Sequence, residues 1–261
     1  MRKFLKCVYR FRRLGQPTSF VGTKRPIEPS IILKMSEILV LGDVHAQPKD
    51  IQIQLDNALS MGFAPTCIIQ LGDIGIWEDV IRKFPRLKIP LYFVLGNHEM
   101  LGAEFVTEER LPPAYHLLTP NTPMVIEGLK TIGVSKSKYI DDYNTPVGTT
   151  ISELDIEKAL THDKIDMIIT HDCPWKIGVK SNFFTPQYQD VGSEQLSQLY
   201  KLKPKIWLFG HHHLNFVSMT NKCLMIGQTV SADGFSILDT EHLSYRFITW
   251  LVEEKKELKT Q

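Results

Sequence analysis

The chain has 261 residues, of which 43% are hydrophobic and 23% are charged, with a formal net charge of +1. This composition is typical of a soluble globular protein, and no run of about 18 apolar residues occurs that could span a membrane. The charge is uneven, because residues 1–34 carry nine Lys or Arg and one acid, which leaves 21 basic and 28 acidic residues in the remainder, a net charge of −7. An acidic body argues against a broad nucleic-acid-binding surface.

Residues 1–34 are predicted to be an extension outside the folded part of the chain. Three interpretations stay open: an Arg-rich organelle transit peptide, a disordered basic arm, or an upstream start that precedes Met35 as the natural first residue. We favour the third, because an apolar run begins two residues after Met35. The four cysteines form no CxxC pair, which favours a reducing compartment. We expect a cytoplasmic protein, or a mitochondrial one if the extension is a transit peptide.

Three short apolar runs, at residues 37–42, 66–71 and 90–95, each end in a glycine or lead into one. Such fully apolar strands belong to sheets that are covered on both faces. Residues 48–62 have apolar positions at helical spacing between the first two runs, and a shorter helix is predicted over residues 77–84. This β-α-β-α-β order predicts parallel strands.

The second half of the chain mixes hairpins with further covered strands. A β-hairpin is predicted around Gly128, a helix over residues 152–160 with Ser152 and Asp155 close to a capping box, and a helix over residues 191–200. Strands are predicted at 164–170 and 205–210, followed by four strands joined as an antiparallel meander, at 215–219, 223–227, 235–239 and 245–251. We therefore predict one α/β domain over residues 35–252, with two mixed sheets packed as a sandwich and helices on the outer faces. Residues 253–261 form a charged tail.

Polar side chains with metal-ligand chemistry follow five of these apolar runs. The stretches are Gly42–His45, Gly72-Asp73, Gly96–Glu99, Thr170–Asp172 and Gly210–His213. Ligands collect at the carboxyl edge of the strands in α/β sheets, and a pair of divalent ions needs about seven protein ligands. The seven predicted ligands are Asp43, His45, Asp73, Asn97, His171, His211 and His213.

The spacing within the stretches suggests individual roles. Asp43 and His45 are two residues apart, so both can point at one ion, and Asp73 is placed to bridge two ions. His211 and His213 have the same spacing and can reach different ions. His212, between them, is predicted to point away from the metals and to be structural.

The order and spacing of these motifs, from Glu37 to about Asp239, resemble the calcineurin-like metallophosphoesterase family. The resemblance implies the four-layer fold of two packed sheets with outer helices. It also implies that a first ion is held by Asp43, His45, Asp73 and His213, and a second by Asp73, Asn97, His171 and His211. A hydroxide that bridges the ions would attack phosphorus in line, and His98 would protonate the leaving oxygen. Manganese is the metal we favour, with iron, zinc, nickel or cobalt as alternatives.

Two features indicate which branch of the family this chain resembles. The protein serine/threonine phosphatases have an Arg where this chain has Leu95, and an Asp within the stretch that here reads Ile74-Gly75-Ile76. The second half, from Thr170 to Trp207, is similar to RNA lariat-debranching enzymes and small bacterial relatives. We therefore predict a phosphodiesterase whose substrate is a phosphate ester, with a nucleotide or RNA as candidates. A small-metabolite phosphomonoesterase and a non-catalytic protein-binding scaffold are the alternatives, and the sequence indicates no membrane and no protein partner.

Aromatic residues near the motifs leave two interpretations open. Phe183 and Phe184 either stack a base beside the metals or pin their loop onto the core. Trp77 and Trp175 either frame the mouth of the site or pack. The residue that orients His98 is not identified by the sequence, and Glu78 and Asp79 are weak candidates.

Overall fold

Two six-stranded β-sheets form the framework of the part of the chain that the structure describes. The structure is a computed structural model, and it describes residues 36–76, 78–99, 110–137, 150–180 and 190–249. The basic extension with Met35, the aromatic residue Trp77, the Phe183-Phe184 segment and the charged tail lie outside these ranges. None of the described helices is both long and apolar enough to cross a membrane.

The strands and helices follow the chain in an order that alternates at first and then becomes mainly β. The strands are β1 Glu37–Leu41, β2 Pro65–Gln70, β3 Leu91–Phe93, β4 Tyr115–Leu117, β5 Met124–Ile126, β6 Leu129–Val134, β7 Met167–Thr170, β8 Ile206–Phe209, β9 Phe216–Thr220, β10 Cys223–Gly227, β11 Gly234–Asp239 and β12 Ser244–Thr249. The helices are α1 Lys49–Ser60, α2 Glu78–Ile81, α3 Glu153–Leu160 and α4 Glu194–Ser197.

Both sheets are mixed: the first has antiparallel pairs at one edge only, whereas the second has them at both edges. The first sheet has the order β12-β11-β1-β2-β3-β4, in which β1 to β4 run parallel. The second has the order β5-β6-β7-β8-β10-β9, in which β6, β7, β8 and β10 run parallel. The carboxyl ends of β1, β2 and β3 therefore share one edge of the first sheet, and those of β7 and β8 share one edge of the second.

Alternation along the strands separates the apolar side chains into layers. Leu39 and Leu41 of β1 pack with Ile51 and Leu55 of α1, on the outer face of the first sheet. The intervening Ile38 and Val40 join Met167, Ile169 and Leu208 in a core between the two sheets. A third cluster packs the outer face of the second sheet against α3 and α4. Because neighbouring residues of a strand point to opposite faces, this gives the predicted layers of helix, sheet, sheet and helix.

The predicted antiparallel meander at the end of the chain is wrong. β9 and β10 form one hairpin in the second sheet, whereas β11 and β12 form another in the first. The chain crosses between the sheets after Gly227, and β10 pairs in parallel with β8. The three-residue strand β4, which extends the first sheet beside β3, was also absent from the sequence prediction.

The observed helices differ from the predicted ones mainly in length. The capping box of α3 is present, with the hydroxyl of Ser152 accepting from the backbone N–H of Asp155 at 3.2 Å. The helix predicted over residues 191–200 is shorter, since Ser193 caps α4 and a 3₁₀ segment follows over Gln198–Leu202. That segment ends where Lys203 adopts a left-handed conformation.

Candidate metal centre

The polar residues that follow β1, β2, β3, β7 and β8 meet where the carboxyl edges of the two sheets come together. The backbone N–H groups of Val44 and His45 donate to the carbonyl of Asp73, at 3.0 and 2.8 Å, so the first two loops are joined directly. The loop after β8 is joined to the first by the N–H of His211, which donates to Asp43 Oδ1 at 3.1 Å. The site is thus assembled from both sheets.

Asp43 is a buried carboxylate at the centre of this assembly. Its Oδ2 lies 2.9 Å from Nε2 of His213 and 3.8 Å from Nε2 of His45. Burial alone would raise the pKa of Asp43, but the positive charge of His171 and the hydrogen bond with His213 outweigh burial and lower it. Asp43 is therefore ionised at neutral pH.

Asp73 is the second buried carboxylate, and it faces residues from three loops. Its Oδ1 accepts the backbone N–H of His98 at 2.9 Å, while Oδ2 lies 3.4 Å from Nε2 of His171 and 3.7 Å from Nε2 of His98. Burial raises the pKa of Asp73, and the nearby charge and hydrogen bond of His171 more than reverse this effect, so the pKa lies well below its usual range. Asp73 thus presents a negative charge between the two sheets.

His171 is fully buried and compensates these charges in the metal-free protein. Its Nδ1–H donates to the carbonyl of Leu71 at 2.7 Å, and Nε2 lies 3.0 Å from Oδ1 of Asn97. Burial disfavours the charged ring, yet Asp73 and Asp43 together raise the pKa of His171 to about 10. The neighbouring His211, whose ring centroid is 4.9 Å away, is held neutral, because burial and the charge of His171 lower its pKa to about 3.

Three histidines form the solvent-facing side of the centre. The side chains of His45, His98 and His213 are 36%, 42% and 38% exposed, whereas the two carboxylates are almost inaccessible. The His45 ring lies 5.2 Å from that of His98 and 5.1 Å from that of His213. The centre is therefore open on one side, where a substrate could approach.

Glycines before the ligands allow the loops to approach one another closely. A Cβ on Gly72 would overlap Nδ1 of His171, and a Cβ on Gly96 would overlap Oδ1 of Asp73. Gly72 also has a φ of +97°, in the region that favours glycine. Gly72 and Gly96 are thus needed because a side chain at either position would overlap a polar group from another loop.

Sequence reasoning gave no role to Glu99, which the structure places directly beneath the site. Glu99 is fully buried, and its two carboxylate oxygens accept the N–H groups of Gly75 and Gly96, each at 2.7 Å. Burial and the charge of Asp73 raise the pKa of Glu99 to about 8 in the metal-free protein. The position of Glu99 inside the Gly96–Glu99 motif could have indicated a role in the site. Its partners, however, are backbone N–H groups, which a sequence does not reveal.

The structure places the seven predicted ligands at one junction: six are linked by close contacts between donor atoms, and His211 joins them through the contact of its ring with that of His171. Asp43, His45 and His213 form one group whose donor atoms lie within 4.8 Å of one another, and Asp43, Asp73 and His171 form another. Asn97 joins the second group through its contact with His171. Carboxylate, amide and imidazole donors in this mixture suit first-row divalent metals. His212 faces Asp172 instead, in line with the structural role predicted for it.

Substitution of Gly72 should weaken metal binding as well as strain the backbone. Gly178 is a matched control, because its φ of +95° is nearly the same and a Cβ there meets nothing within 4 Å. We expect Gly72→Ala and Gly178→Ala each to lose about 1–2 kcal/mol of unfolding free energy from backbone strain. Only Gly72→Ala should also bind manganese more weakly, because it displaces His171. Equal metal affinities in a calorimetric titration of the two variants would contradict this account.

Metal binding should release protons at neutral pH. With a pKa raised from 6.5 to about 10, His171 stabilises the metal-free fold fully below about pH 6.5, and this contribution is lost as the pH rises towards 10. A metal ligand must be a neutral imidazole, so binding at pH 7.5 should displace the proton, and affinity should increase from pH 7 to 9. Titration calorimetry in PIPES and in Tris should give binding heats that differ with buffer ionisation. Identical heats would argue against a protonated His171.

Comparison with known proteins gives one curated relative with a stated activity. A lariat debranching enzyme from Entamoeba histolytica is 26% identical over 179 residues, which cover 56% of this chain and 48% of that protein. The chain thus spans about half the length of the relative it matches.

Solved structures with low sequence identity have the same fold. One crystal structure superposes with a TM-score of 0.61 at 12% identity, covering 83% of this chain and 100% of the other. The structure of TT1561 from Thermus thermophilus superposes with a TM-score of 0.56 at 14% identity, covering 82% of this chain and 99% of the other. These likenesses confirm the predicted fold class.

The family model for calcineurin-like phosphoesterases matches residues 36–215. This range contains all five motifs, from Gly42 to His213, and all the loops that converge on the centre. The family resemblance inferred from the motifs is confirmed, and the chain belongs to the calcineurin-like phosphoesterase family.

Proposed function

We propose that this protein is a two-metal phosphoesterase that hydrolyses a phosphodiester. The observation that carries the proposal is the pair of buried carboxylates, Asp43 and Asp73, which lie beside His171 and below a solvent-facing row of histidines. Burial of two like charges is unfavourable unless cations or hydrogen bonds compensate it. Divalent cations at this position would provide that compensation.

The ligand sets that we propose combine these close contacts with the assignment that the family resemblance implies. Asp43, His45, Asp73 and His213 would hold one ion, and Asp73, Asn97, His171 and His211 would hold the other. When bound, a pair of divalent ions supplies positive charge for the phosphoryl oxygens and lowers the pKa of water, so that a nucleophile is available at neutral pH. Manganese is the ion we propose first, ahead of iron, zinc, nickel and cobalt.

We propose His98 as the group that delivers a proton to the leaving oxygen. Its backbone is fixed by the hydrogen bond from its N–H to Asp73 Oδ1, and its ring extends to the open side with Nε2 3.7 Å from Asp73 Oδ2. We propose that Asp73 fixes the backbone of His98 through this hydrogen bond, since 3.7 Å is too long for a hydrogen bond to the ring. The side chains of the earlier candidates, Glu78 and Asp79, lie outside the described part of the chain.

Charge in the site supports a diester over a monoester. Among the described residues, the hydrogen bonds and ion pairs of the proposed ligands involve no lysine or arginine. A phosphomonoester carries more negative charge than a diester and benefits from such a cationic side chain. The similarity to a lariat debranching enzyme favours a nucleotide or RNA as the substrate class.

Hydrolysis of two model substrates tests the proposal. We expect metal-stripped protein to be inactive and added manganese to restore cleavage of bis-p-nitrophenyl phosphate in preference to p-nitrophenyl phosphate. Asp73→Asn, which keeps the shape of the side chain, should remain folded and inactive under the same conditions. Preference for the monoester would indicate a metabolite phosphatase. Absence of both activities with metal bound would indicate a non-catalytic scaffold.

Replacement of His98 should slow cleavage without loss of metal. We expect His98→Gln to reduce kcat by about 10²–10⁴-fold for diesters with a poor leaving group, because the leaving oxygen then receives no proton. The reduction should be much smaller for p-nitrophenolate, which leaves readily without protonation. The two substrates serve as controls for each other, and equal reductions would argue against a general-acid role.

A further inference from the structure

Asp172 and His212 form a buried polar pair directly beside the proposed ligands. Nε2 of His212 donates to Oδ1 of Asp172 at 2.9 Å, and the two side chains are only 7% and 8% exposed. The same carboxylate oxygen accepts the backbone N–H of Cys173 at 2.7 Å, which fixes the orientation of the carboxylate. The pair is thus a largely buried polar contact.

The two partners stand next to ligands in both of the loops they belong to. Asp172 follows His171 after β7, and His212 lies between His211 and His213 after β8. The backbone ladder between these strands extends to the N–H of Gly210, which donates to the carbonyl of His171 at 3.0 Å. Beyond that bond, His211 and His213 have left-handed backbones, with φ values of +65° and +50°, and no longer follow the strand.

The contact therefore continues the connection between the loops after the ladder has ended. A left-handed backbone at a non-glycine residue costs about 1–3 kcal/mol and persists only where the surroundings hold it. Groups that hydrogen-bond to or pack against the ligands affect metal affinity, because a small rotation of an imidazole moves its donor atom away from the ion. His212 faces away from the centre and is in the right place to hold both neighbours.

We propose that the Asp172–His212 pair is a positioning clamp that fixes His171, His211 and His213 in their ligand geometry. The proposal assigns a role to two residues outside the ligand set. It rests on the proposed function only in identifying these three histidines as ligands.

The test uses variants that separate positioning from stability. His212→Leu removes the hydrogen bond and replaces the ring with an apolar side chain of similar bulk, whereas His212→Gln keeps an N–H donor at about the same reach. Trp207→Phe is the matched control, because it removes another buried hydrogen bond between β7 and β8, from Nε1 of Trp207 to the hydroxyl of Thr170 at 2.9 Å. Manganese affinity, unfolding free energy and amide exchange are measured for each full-length variant.

We expect His212→Leu to bind manganese about 10–100-fold more weakly than the wild type, with His212→Gln recovering most of that loss. Trp207→Phe should be less stable and yet bind manganese normally. In metal-free protein, the amides of Gly210 and His211 should exchange faster in His212→Leu than in Trp207→Phe. If His212→Leu does not fold, His212→Gln and Asp172→Asn, which keep the packing, are compared with the control for the same two readouts.

Unchanged manganese affinity in His212→Leu, or a loss no larger than that of Trp207→Phe at equal stability, would overturn the proposal. The exchange measurement distinguishes this result from a failure of the proposed function. A wild-type protein that binds no divalent ion would refute the metal centre. The exchange of Gly210 and His211 would still show whether the pair holds the two loops, and unaltered exchange in His212→Leu would refute the clamp as well.

Discussion

The burial of two negative charges at the junction of the sheets is the constraint on which the rest of the site depends. Asp43 and Asp73 are almost inaccessible to solvent, and moving a carboxylate out of water costs several kcal/mol unless its charge is compensated. In the metal-free protein, a protonated His171 and the backbone N–H groups of His98 and His211 provide this compensation. These groups come from both sheets, so the charge is neutralised only where the sheets meet. A divalent ion would replace the proton of His171 with a larger charge at the same place.

The apolar core between the sheets fixes this junction before any ion is bound. Ile38 and Val40 of β1 contact the same cluster as Met167, Ile169 and Leu208 of the second sheet. Such a core is close-packed and resists displacement, so it sets the distance between the two groups of loops. The loops themselves are strained, since several proposed ligands have positive φ. The free energy that holds this strain comes from the rigid sheets together with hydrogen bonds between the loops, such as the one from the N–H of His211 to Asp43, which is why the site can be preformed.

The sequence predicted which side chains meet at the junction, because each follows an apolar run that ends at the carboxyl edge of a sheet. It did not predict which sheet each late strand joins. β10 and β11 are buried throughout, and a strand that is apolar on both faces gives no indication of its neighbours. The meander was therefore wrong although its four strands exist. β4 was missed for a related reason, since three residues that include the polar His116 are too few to show a period.

The parts of the site that the sequence did not reveal are those that act through contacts between distant segments. Glu99 binds the backbone of Gly75 and Gly96, and any residue could supply those N–H groups. His212 was recognised as structural, but its partner Asp172 lies 40 positions away. Ligand types are restricted by the chemistry of the metal, so a motif can display them. The residues that orient the ligands are restricted only by geometry, so a fixed motif does not identify them. Candidate ligands can therefore be predicted from sequence, whereas the contacts that orient them cannot. Those contacts are identified only in the structure, where loops that are distant in sequence lie together.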